Sequence, residues 1–189
     1  MPDALVFSPL TTATWSGFEH LFGERGACGG CWCMTWRLSS REYEGLKGEG
    51  NHQAMQALVE QGRPAGILAF LEGEPVAWCA IAPREDYIRL NNSRVLKPVD
   101  DQPVWSLPCF FIHKDHRRKG YSRMLILAAV DYARNQGARI IEAYPIIPKK
   151  EEVPPVFAFT GLASTFLACG FREVARRSET RPIMRWEEK

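Results

Sequence analysis

The sequence predicts a mixed α/β (α+β) domain whose sheet is mostly antiparallel and contains one parallel strand pair. Three observations indicate this fold class. Residues 104–112 form a run rich in aromatic and β-branched residues, which is typical of a buried strand. A polar turn leads to a helix with an unbroken apolar run, 124–130, and Gly137 stands where a left-handed helix end belongs. Residues 139–145 predict a second strand, which the helical crossover makes parallel to the first.

The N-terminal part of the chain alternates between one strand and several short helices. Residues 5–9 alternate weakly in polarity and predict a first strand, and residues 14–22 carry aromatic side chains at helical spacing. Ser39 and Glu42 have the spacing of a capping box that opens a short helix. Residues 51–61 predict a further helix.

The remaining segments complete the sheet. The predicted elements are a hairpin of 65–71 and 75–82, a helix at 164–169, and a terminal strand pair at 172–177 and 182–186. Residues 83–103 show no clear period and carry many charges, which predicts a long loop. In this loop Arg84, Glu85, Asp86 and Arg89 are expected to be exposed to solvent. The alternative for the two arginines is a contact with an acceptor that carries a carboxylate.

Length and composition restrict the possible functions. A chain of 189 residues predicts one domain, 1–189, with a helical and cysteine-rich part at 10–62 followed by a core at 65–186. The 24 basic and 22 acidic residues leave a net charge of +2, which gives no case for a nucleic-acid or membrane partner. Without a visible secretory signal, the six cysteines indicate free thiols and a cytoplasmic location. The oligomeric state is not determined, and a homodimer stays open.

The turn before the long helix has the composition of an anion-binding site. The first N–H groups of a helix have no partners within it, and the helix dipole places partial positive charge there. Gly120 lets the backbone approach a ligand closely, because it has no side chain. The other residues of the turn are Arg117, Arg118, Lys119, Tyr121, Ser122 and Arg123. A phosphate group fits this environment, and the alternative is a solvated basic helix start.

Arg117-x-x-Gly120-x-Ser122 resembles the (Gln/Arg)-x-x-Gly-x-(Gly/Ala) signature of the GNAT superfamily of N-acetyltransferases. In that family the turn binds the pyrophosphate of acetyl-CoA through main-chain amides. Ser122 departs from the signature, but serine is small and favours helix starts. The order of predicted elements also resembles the family's, as does the pair Gly170-Phe171 after the last helix. The resemblance implies a central sheet with a splayed parallel pair, and acetyl-CoA as co-substrate.

The resemblance also assigns backbone contacts to the central strand. In GNAT proteins a bulge interrupts this strand, and its free amides bind the pantetheine arm of the coenzyme. The matching residues here are Phe110, Phe111 and Ile112, whose side chains equally suit a packed core. Pro108 fits such a disruption, because proline removes a donor from the strand ladder.

Two groups that the family commonly uses for proton transfer are absent. The carboxylate position on the central strand holds Ser106, which by itself is no base and could only hold a water. The position of the tyrosine that protonates the departing thiolate holds Phe166. Glu142 is then the candidate proton acceptor, because a carboxylate within an apolar strand is rarely idle. A structural ion pair between Glu142 and an arginine is the open alternative.

The segment Cys28-x-x-Cys31-x-Cys33 has part of a zinc-site pattern, but no second cysteine pair follows it. Free thiols in a packed turn, and no metal, are therefore expected, with a zinc site or a redox pair as the alternative. In the family arrangement the N-terminal helices wall the acceptor site. Trp32, Trp36 and Arg37 could therefore shape the substrate pocket.

The sequence therefore predicts an acetyl-CoA-dependent N-acetyltransferase that transfers the acetyl group directly to an amine of a small molecule. Simple alternation places Cys109 on the face opposite Ser106, Phe110 and Ile112, which disfavours a covalent acetyl-cysteine. A peptide or protein N-acetyltransferase is one alternative. A non-catalytic domain that binds or senses acyl-CoA is the other, and the two absent catalytic groups support it.

Overall fold

The computed structural model describes residues 4–149 and 158–188. The strands are β1 Val6–Pro9, β2 Gly66–Leu71, β3 Glu74–Pro83, β4 Trp105–Ile112, β5 Ile140–Ala143, β6 Arg172–Arg176 and β7 Pro182–Glu187. The helices are α1 Trp15–Phe22, α2 Ser40–Gly45, α3 Glu49–Glu60, α4 Ile88–Asn91, α5 Tyr121–Asn135 and α6 Ala163–Ala168. None of these helices has the length and apolar character that a membrane span requires.

The strands form one seven-stranded sheet in the order β1-β2-β3-β4-β5-β7-β6. Every neighbouring pair is antiparallel except β4 and β5, which are parallel. Helix α5 makes the crossover between these two strands, and Gly137 follows it with a φ of 90°. The predicted fold class, a mostly antiparallel sheet with one parallel pair and flanking helices, is confirmed.

A β-bulge interrupts the central strand β4. Ala80 of β3 pairs with Cys109, and Ala82 pairs with Ser106. Between these two pairs β4 therefore contains one residue more than β3. The parallel pairing of β4 with β5 ends at Leu107 and Ala143, where β5 ends, whereas β4 continues unpaired on this side to Ile112. The predicted bulge and the predicted splayed pair are both present.

The bulge reverses the alternation of side chains beyond it. Ala80 and Ala82 lie two residues apart in β3 and share a face, so their partners Cys109 and Ser106 share that face too. Phe110 instead packs in the cluster beneath α5. The predicted placement of Cys109 opposite Ser106 is therefore wrong, because simple alternation does not count the extra residue.

Helices cover both faces of the sheet. Helix α5 buries Leu125, Ile126, Ala129, Val130 and Ala133, which join the core cluster of Ile81, Leu107 and Ile141. On the opposite face, α1 and α3 pack on the first strands. Their buried side chains, among them Phe18, Phe22 and Met55, surround the fully buried Trp78. Both helices thus bury an apolar stripe, as amphipathic helices do.

The segment between β3 and β4 is not the solvated loop that its charges predict. It contains a 3₁₀ turn, Arg84–Asp86, followed by α4. Tyr87, Leu90 and Leu96 are buried in one cluster with Tyr144 of the sheet. This segment therefore forms a third cover, next to the helices α1 and α3.

Two of the charges in this segment are also placed differently from the prediction. Arg84 is 7% exposed, and the side chain of Asp86 is 11% exposed. Asp86 binds Arg37 at 3.4 Å and also binds Arg63. Glu85 is exposed, as expected. The prediction of solvated Arg84 and Asp86 is wrong, because partners distant in the chain compensate their burial.

We expect Gly66→Ala to lower the free energy of unfolding by about 1–3 kcal/mol, because it overpacks the sheet. A Cβ at Gly66 would lie 2.3 Å from the Cys79 carbonyl oxygen and 2.5 Å from the Trp78 ring. The control is Gly45→Ala, since no atom lies within 4 Å of its added Cβ. Urea titration of both variants measures the difference. Equal stability of the two would show that the sheet tolerates the methyl group.

Candidate functional site

The turn after β4 presents main-chain amides at the start of α5. Gly120 precedes the helix with φ 80° and ψ 5°, and no side chain caps the first N–H groups. Arg118 also has a left-handed backbone, with a φ of 62°. Arg117 Nε donates to the Ile112 carbonyl at 3.0 Å, which fastens the turn to the end of β4. The arrangement leaves the helix N-terminus facing solvent.

The predicted anion-binding residues surround this N-terminus. The exposed ones are Arg117, Arg118, Lys119, Gly120 and Arg123, and the partly buried ones are Tyr121 and Ser122. Helix α5 has 15 residues, so its dipole is fully developed at this end. Uncapped amides, a helix dipole and four cationic side chains together suit a ligand with several negative charges.

Beyond the bulge, the N–H groups of β4 point alternately toward β3 and toward the gap next to β5. The His113 N–H donates to a carbonyl of β3 at 3.0 Å. The alternation of an antiparallel ladder then turns the Phe111 N–H toward β3, and the Phe110 and Ile112 N–H groups toward the gap next to β5. The Phe110 N–H donates to the Phe159 carbonyl at 2.6 Å. Phe159 must therefore move before a ligand can use this amide.

A buried ion-pair network lies on the sheet face opposite α5. Glu142 is 1% exposed and lies across from Ser106 in the parallel pair. Its Oε1 accepts hydrogen bonds from Arg185 Nη2 at 2.6 Å and Nε at 3.1 Å. Its Oε2 lies 3.5 Å from Arg84 Nη1. The two guanidinium groups compensate the buried carboxylate, which is the ion pairing left open above.

The Tyr144 hydroxyl connects Glu142 with Ser106. It donates to Glu142 Oε2 at 3.3 Å, accepts from Arg84 Nη1 at 2.6 Å, and lies 2.7 Å from Ser106 Oγ. Burial, reinforced by the Glu142 charge, raises the pKa of Tyr144 far above its usual value, so the hydroxyl keeps its proton. Ser106, Tyr144 and Glu142 thus form a continuous chain of hydrogen bonds.

The two arginines also hold the covering segment on the sheet. Arg84 Nη2 donates to the carbonyls of Leu90 at 3.1 Å and Leu96 at 2.6 Å. Arg185 Nη1 binds Asp100 at 2.7 Å, and this hydrogen bond holds the pKa of Asp100 below its usual value. Sequence reasoning missed Arg185. Arg185 is a charged residue within the apolar strand β7, and this pattern could have indicated it, as the same pattern in β5 indicated Glu142.

An open cavity of about 420 Å³ lies over this network. Residues 98–105 form one wall, and Arg84, Glu142 and Arg185 contribute to the lining. Glu85 and Asp101 also line it and are exposed. Trp105 at the start of β4 and Glu142 of β5 are the residues through which the cavity reaches the parallel pair.

The three N-terminal cysteines do not converge on one point. Cys28 is exposed and Cys31 is partly buried, whereas Cys33 is buried and its Sγ accepts a hydrogen bond from Trp78 Nε1 at 3.1 Å. Across residues 4–149 and 158–188, no group of three or more His, Cys, Asp or Glu side chains is arranged to hold a metal ion. Cys33 is instead directed at the sheet.

Comparison with known proteins identifies the family. The sequence profile of the Acetyltransferase (GNAT) family matches residues 32–148. No curated protein matches the chain in sequence. The fold is similar to PaiA N-acetyltransferase from Thermoplasma acidophilum in complex with coenzyme A, with 13% identity, coverage of 98% of this chain and 99% of that chain, and a TM-score of 0.52.

Two further similar structures differ in the acceptors that their names state. A ribosomal-protein-alanine N-acetyltransferase from Brucella melitensis has 13% identity, coverage of 97% and 99%, and a TM-score of 0.55. The aminoglycoside N-acetyltransferase AAC(6')-Iy in complex with CoA has 15% identity, coverage of 94% and 95%, and a TM-score of 0.55. These likenesses show the fold, and the profile match covers more than half of the chain. The chain therefore belongs to the GNAT family of acetyltransferases and is an acyltransferase that uses acetyl-CoA.

Proposed function

We propose that this enzyme transfers the acetyl group directly from acetyl-CoA to an amine of a small molecule. One observation carries the proposal: the splayed pair β4–β5 opens beside the uncapped N-terminus of α5. The pyrophosphate binds the amides that begin with Gly120, and the pantetheine arm enters the gap beside Phe110 and Ile112. The acceptor approaches from the face opposite α5, where the cavity lies.

The charge of the cavity supports a cationic acceptor. Its lining includes four acidic residues, Glu85, Asp100, Asp101 and Glu142, and two basic ones, Arg84 and Arg185. Both arginines already bind carboxylates, so they do not offset the exposed Glu85 and Asp101. An amine is protonated when it arrives, and a negative rim raises its local concentration. A volume of about 420 Å³ suits a small molecule or a single side chain.

The hydrogen-bonded chain offers a path for the proton that the amine must lose. Ser106 lies just before the bulge and would accept the proton through a bound water. The Tyr144 hydroxyl would pass a proton on to Glu142. When Glu142 is protonated, Arg185 would keep Asp100 as its counter-ion, whereas Arg84 would keep only neutral partners, the Tyr144 hydroxyl and two main-chain carbonyls. We propose Glu142 as the terminal acceptor of this relay.

Two alternatives remain as outcomes of the experiments. A protein acceptor is the first, because similar folds include a ribosomal-protein-alanine acetyltransferase. A domain that only binds acyl-CoA is the second. Phe166, at the position of the family's proton-donating tyrosine, is fully buried against Phe110 and Phe171 and offers no proton donor.

We expect Gly120→Leu to abolish the rise in melting temperature that acetyl-CoA causes, because the side chain would block the phosphate site. Wild-type enzyme at one hundred times Kd should gain about 2.7 kcal/mol. Gly137→Leu is the matched control, since both glycines have a positive φ, flank α5 and have no atom within 4 Å of an added Cβ. Thermal melts with and without acetyl-CoA compare them. Equal shifts in the two variants would contradict the assigned phosphate site.

We expect Tyr144→Phe and Glu142→Gln each to lower kcat by about a hundredfold, because each interrupts the relay. Stopped-assay kinetics over a range of pH measure this effect, and acetyl-CoA binding should be unchanged. Tyr87→Phe is the control, since Tyr87 is a fully buried tyrosine of the same core cluster that bonds Arg37 instead. A lower melting temperature with an unchanged kcat would assign the Glu142 network a purely structural role.

We expect CoA release with cationic small amines, and no acetyl group on any cysteine of the rapidly quenched enzyme.

Glu85→Gln combined with Asp101→Asn should raise KM for such an amine about tenfold with little change in kcat, because the double substitution removes the negative rim. Asp131→Asn, on the exposed side of α5, serves as the control. Turnover of peptides alone would select the protein acceptor, and binding without turnover would select the sensor.

A further inference from the structure

A short segment, residues 158–162, lies between β4 and the chain that follows β5. On one side, the Phe110 N–H of β4 donates to the Phe159 carbonyl at 2.6 Å. On the other side, the Ile146 N–H donates to the Gly161 carbonyl at 3.0 Å. The segment, called the strap below, therefore lies like a short extra strand beside the part of β4 that β5 leaves unpaired.

The strap is bound more firmly on the β5 side than on the β4 side. The Ile146 carbonyl also accepts a hydrogen bond from the Ala163 N–H at 3.0 Å, and Ile146 forms a parallel bridge with Leu162. Within residues 4–149 and 158–188, the hydrogen bond from Phe110 is the one main-chain bond that joins the strap to β4. The strap can therefore leave β4 by breaking one main-chain hydrogen bond while it stays attached to Ile146.

Side-chain contacts hold the strap in this closed position. Thr160 is fully buried, and its Oγ1 accepts a hydrogen bond from Arg181 Nη1 at 3.4 Å. The ring of Phe159 lies 6.4 Å from that of Trp36, measured between ring centres. The strap is thus a packed segment, and its closed position is stabilised by the contacts of two side chains in addition to the bond to β4.

The strap and the pantetheine arm of the coenzyme require the same donor and the same space. A main-chain N–H provides one donor, and that of Phe110 already binds Phe159. The arm contains two amide groups, whose carbonyl oxygens need such donors. Hydrogen-bonded neighbouring strands lie only about 4.8 Å apart, so the backbone of the strap fills the place beside β4 that an extended arm would take.

We propose that residues 158–162 are an autoinhibitory strap, which must leave Phe110 before the pantetheine arm of acetyl-CoA can enter the gap. The proposal rests on the position given to this arm under the proposed function. The pyrophosphate binds at the turn around Gly120, which is not part of the strap, so closure affects the arm alone. When only a fraction of the protein is open, the affinity for the arm falls by that fraction.

The first test compares the Kd of CoA with that of adenosine 3′-phosphate 5′-diphosphate, which keeps the pyrophosphate and lacks the arm. Phe159→Ala removes the ring contact with Trp36 and so favours the open strap. We expect calorimetry to show about two- to tenfold tighter binding of CoA, the range that one aromatic pair is worth, and an unchanged Kd for the nucleotide. Phe70→Ala is the control, since Phe70 is also partly buried but lies on β2.

The direction of the change is diagnostic, because the loss of a contact that merely supports the site would weaken binding. Thr160→Val loosens the strap in a second way, since it removes the hydrogen bond from Arg181. It should also tighten CoA binding, and it decides the case if Phe159→Ala does not fold. Unchanged or weaker CoA binding in the folded strap variants would overturn the proposal, as would an equal gain for the nucleotide or in Phe70→Ala.

The second test follows the strap directly, with 4-fluorophenylalanine in place of Phe159 and fluorine NMR of the full-length enzyme. Saturation with CoA should move the resonance toward its position in the urea-unfolded chain, because the ring leaves Trp36. The nucleotide without the arm should leave the resonance in place. A resonance that CoA does not move, or that both ligands move equally, would contradict the strap.

Both tests are independent of the acceptor, because neither uses an amine. If no amine is acetylated, the proposed function fails while the binding data still decide the strap. If Gly120→Leu binds CoA as the wild type does, the proposed phosphate site fails, and the fluorine resonance still shows whether CoA displaces the strap.

Discussion

The arrangement of the site depends on one extra residue in β4, opposite β3. The resulting bulge ends the pairing with β5 after Leu107 and so opens the gap between the parallel strands. It also turns the Phe110 N–H into that gap and returns Cys109 to the face of Ser106. Pro108, which has no N–H, stands within the bulge, where a ladder hydrogen bond is not required. The gap beside β4 and the position of Cys109 thus have a single structural cause.

Charge compensation determines the other side of the site. An unpaired ion in the interior costs several kcal/mol, so Glu142 requires the two guanidinium groups that contact it. The same groups extend outward, Arg84 to the carbonyls of Leu90 and Leu96, and Arg185 to Asp100. Arg84 and Asp100 therefore anchor the segment between β3 and β4 to the sheet, although the many charges of this segment predict a solvated loop. The wall of the cavity over Glu142 is fixed by the same contacts.

The secondary structure and the exposed basic turn before α5 could be predicted because their signals are local. Each of these features depends on residues that are close in the sequence. Examples are the capping box of Ser39 and Glu42, the left-handed Gly137, and the strands on either side of α5. The basic turn around Gly120 is local as well, since helix geometry alone exposes its amides. Glu142 stood out because it is a lone carboxylate in an apolar strand.

The sequence by itself therefore determined the order of the elements, the parallel pair and the position of the basic turn before α5. Only the tertiary structure decided which distant residues meet: Arg84 and Arg185 at Glu142, and Cys33 at Trp78. The physical reason is twofold. A bulge inserts one extra residue into a strand and so shifts the alternation of side chains between the two faces. The burial of a charged side chain depends on partners that lie far away in the sequence.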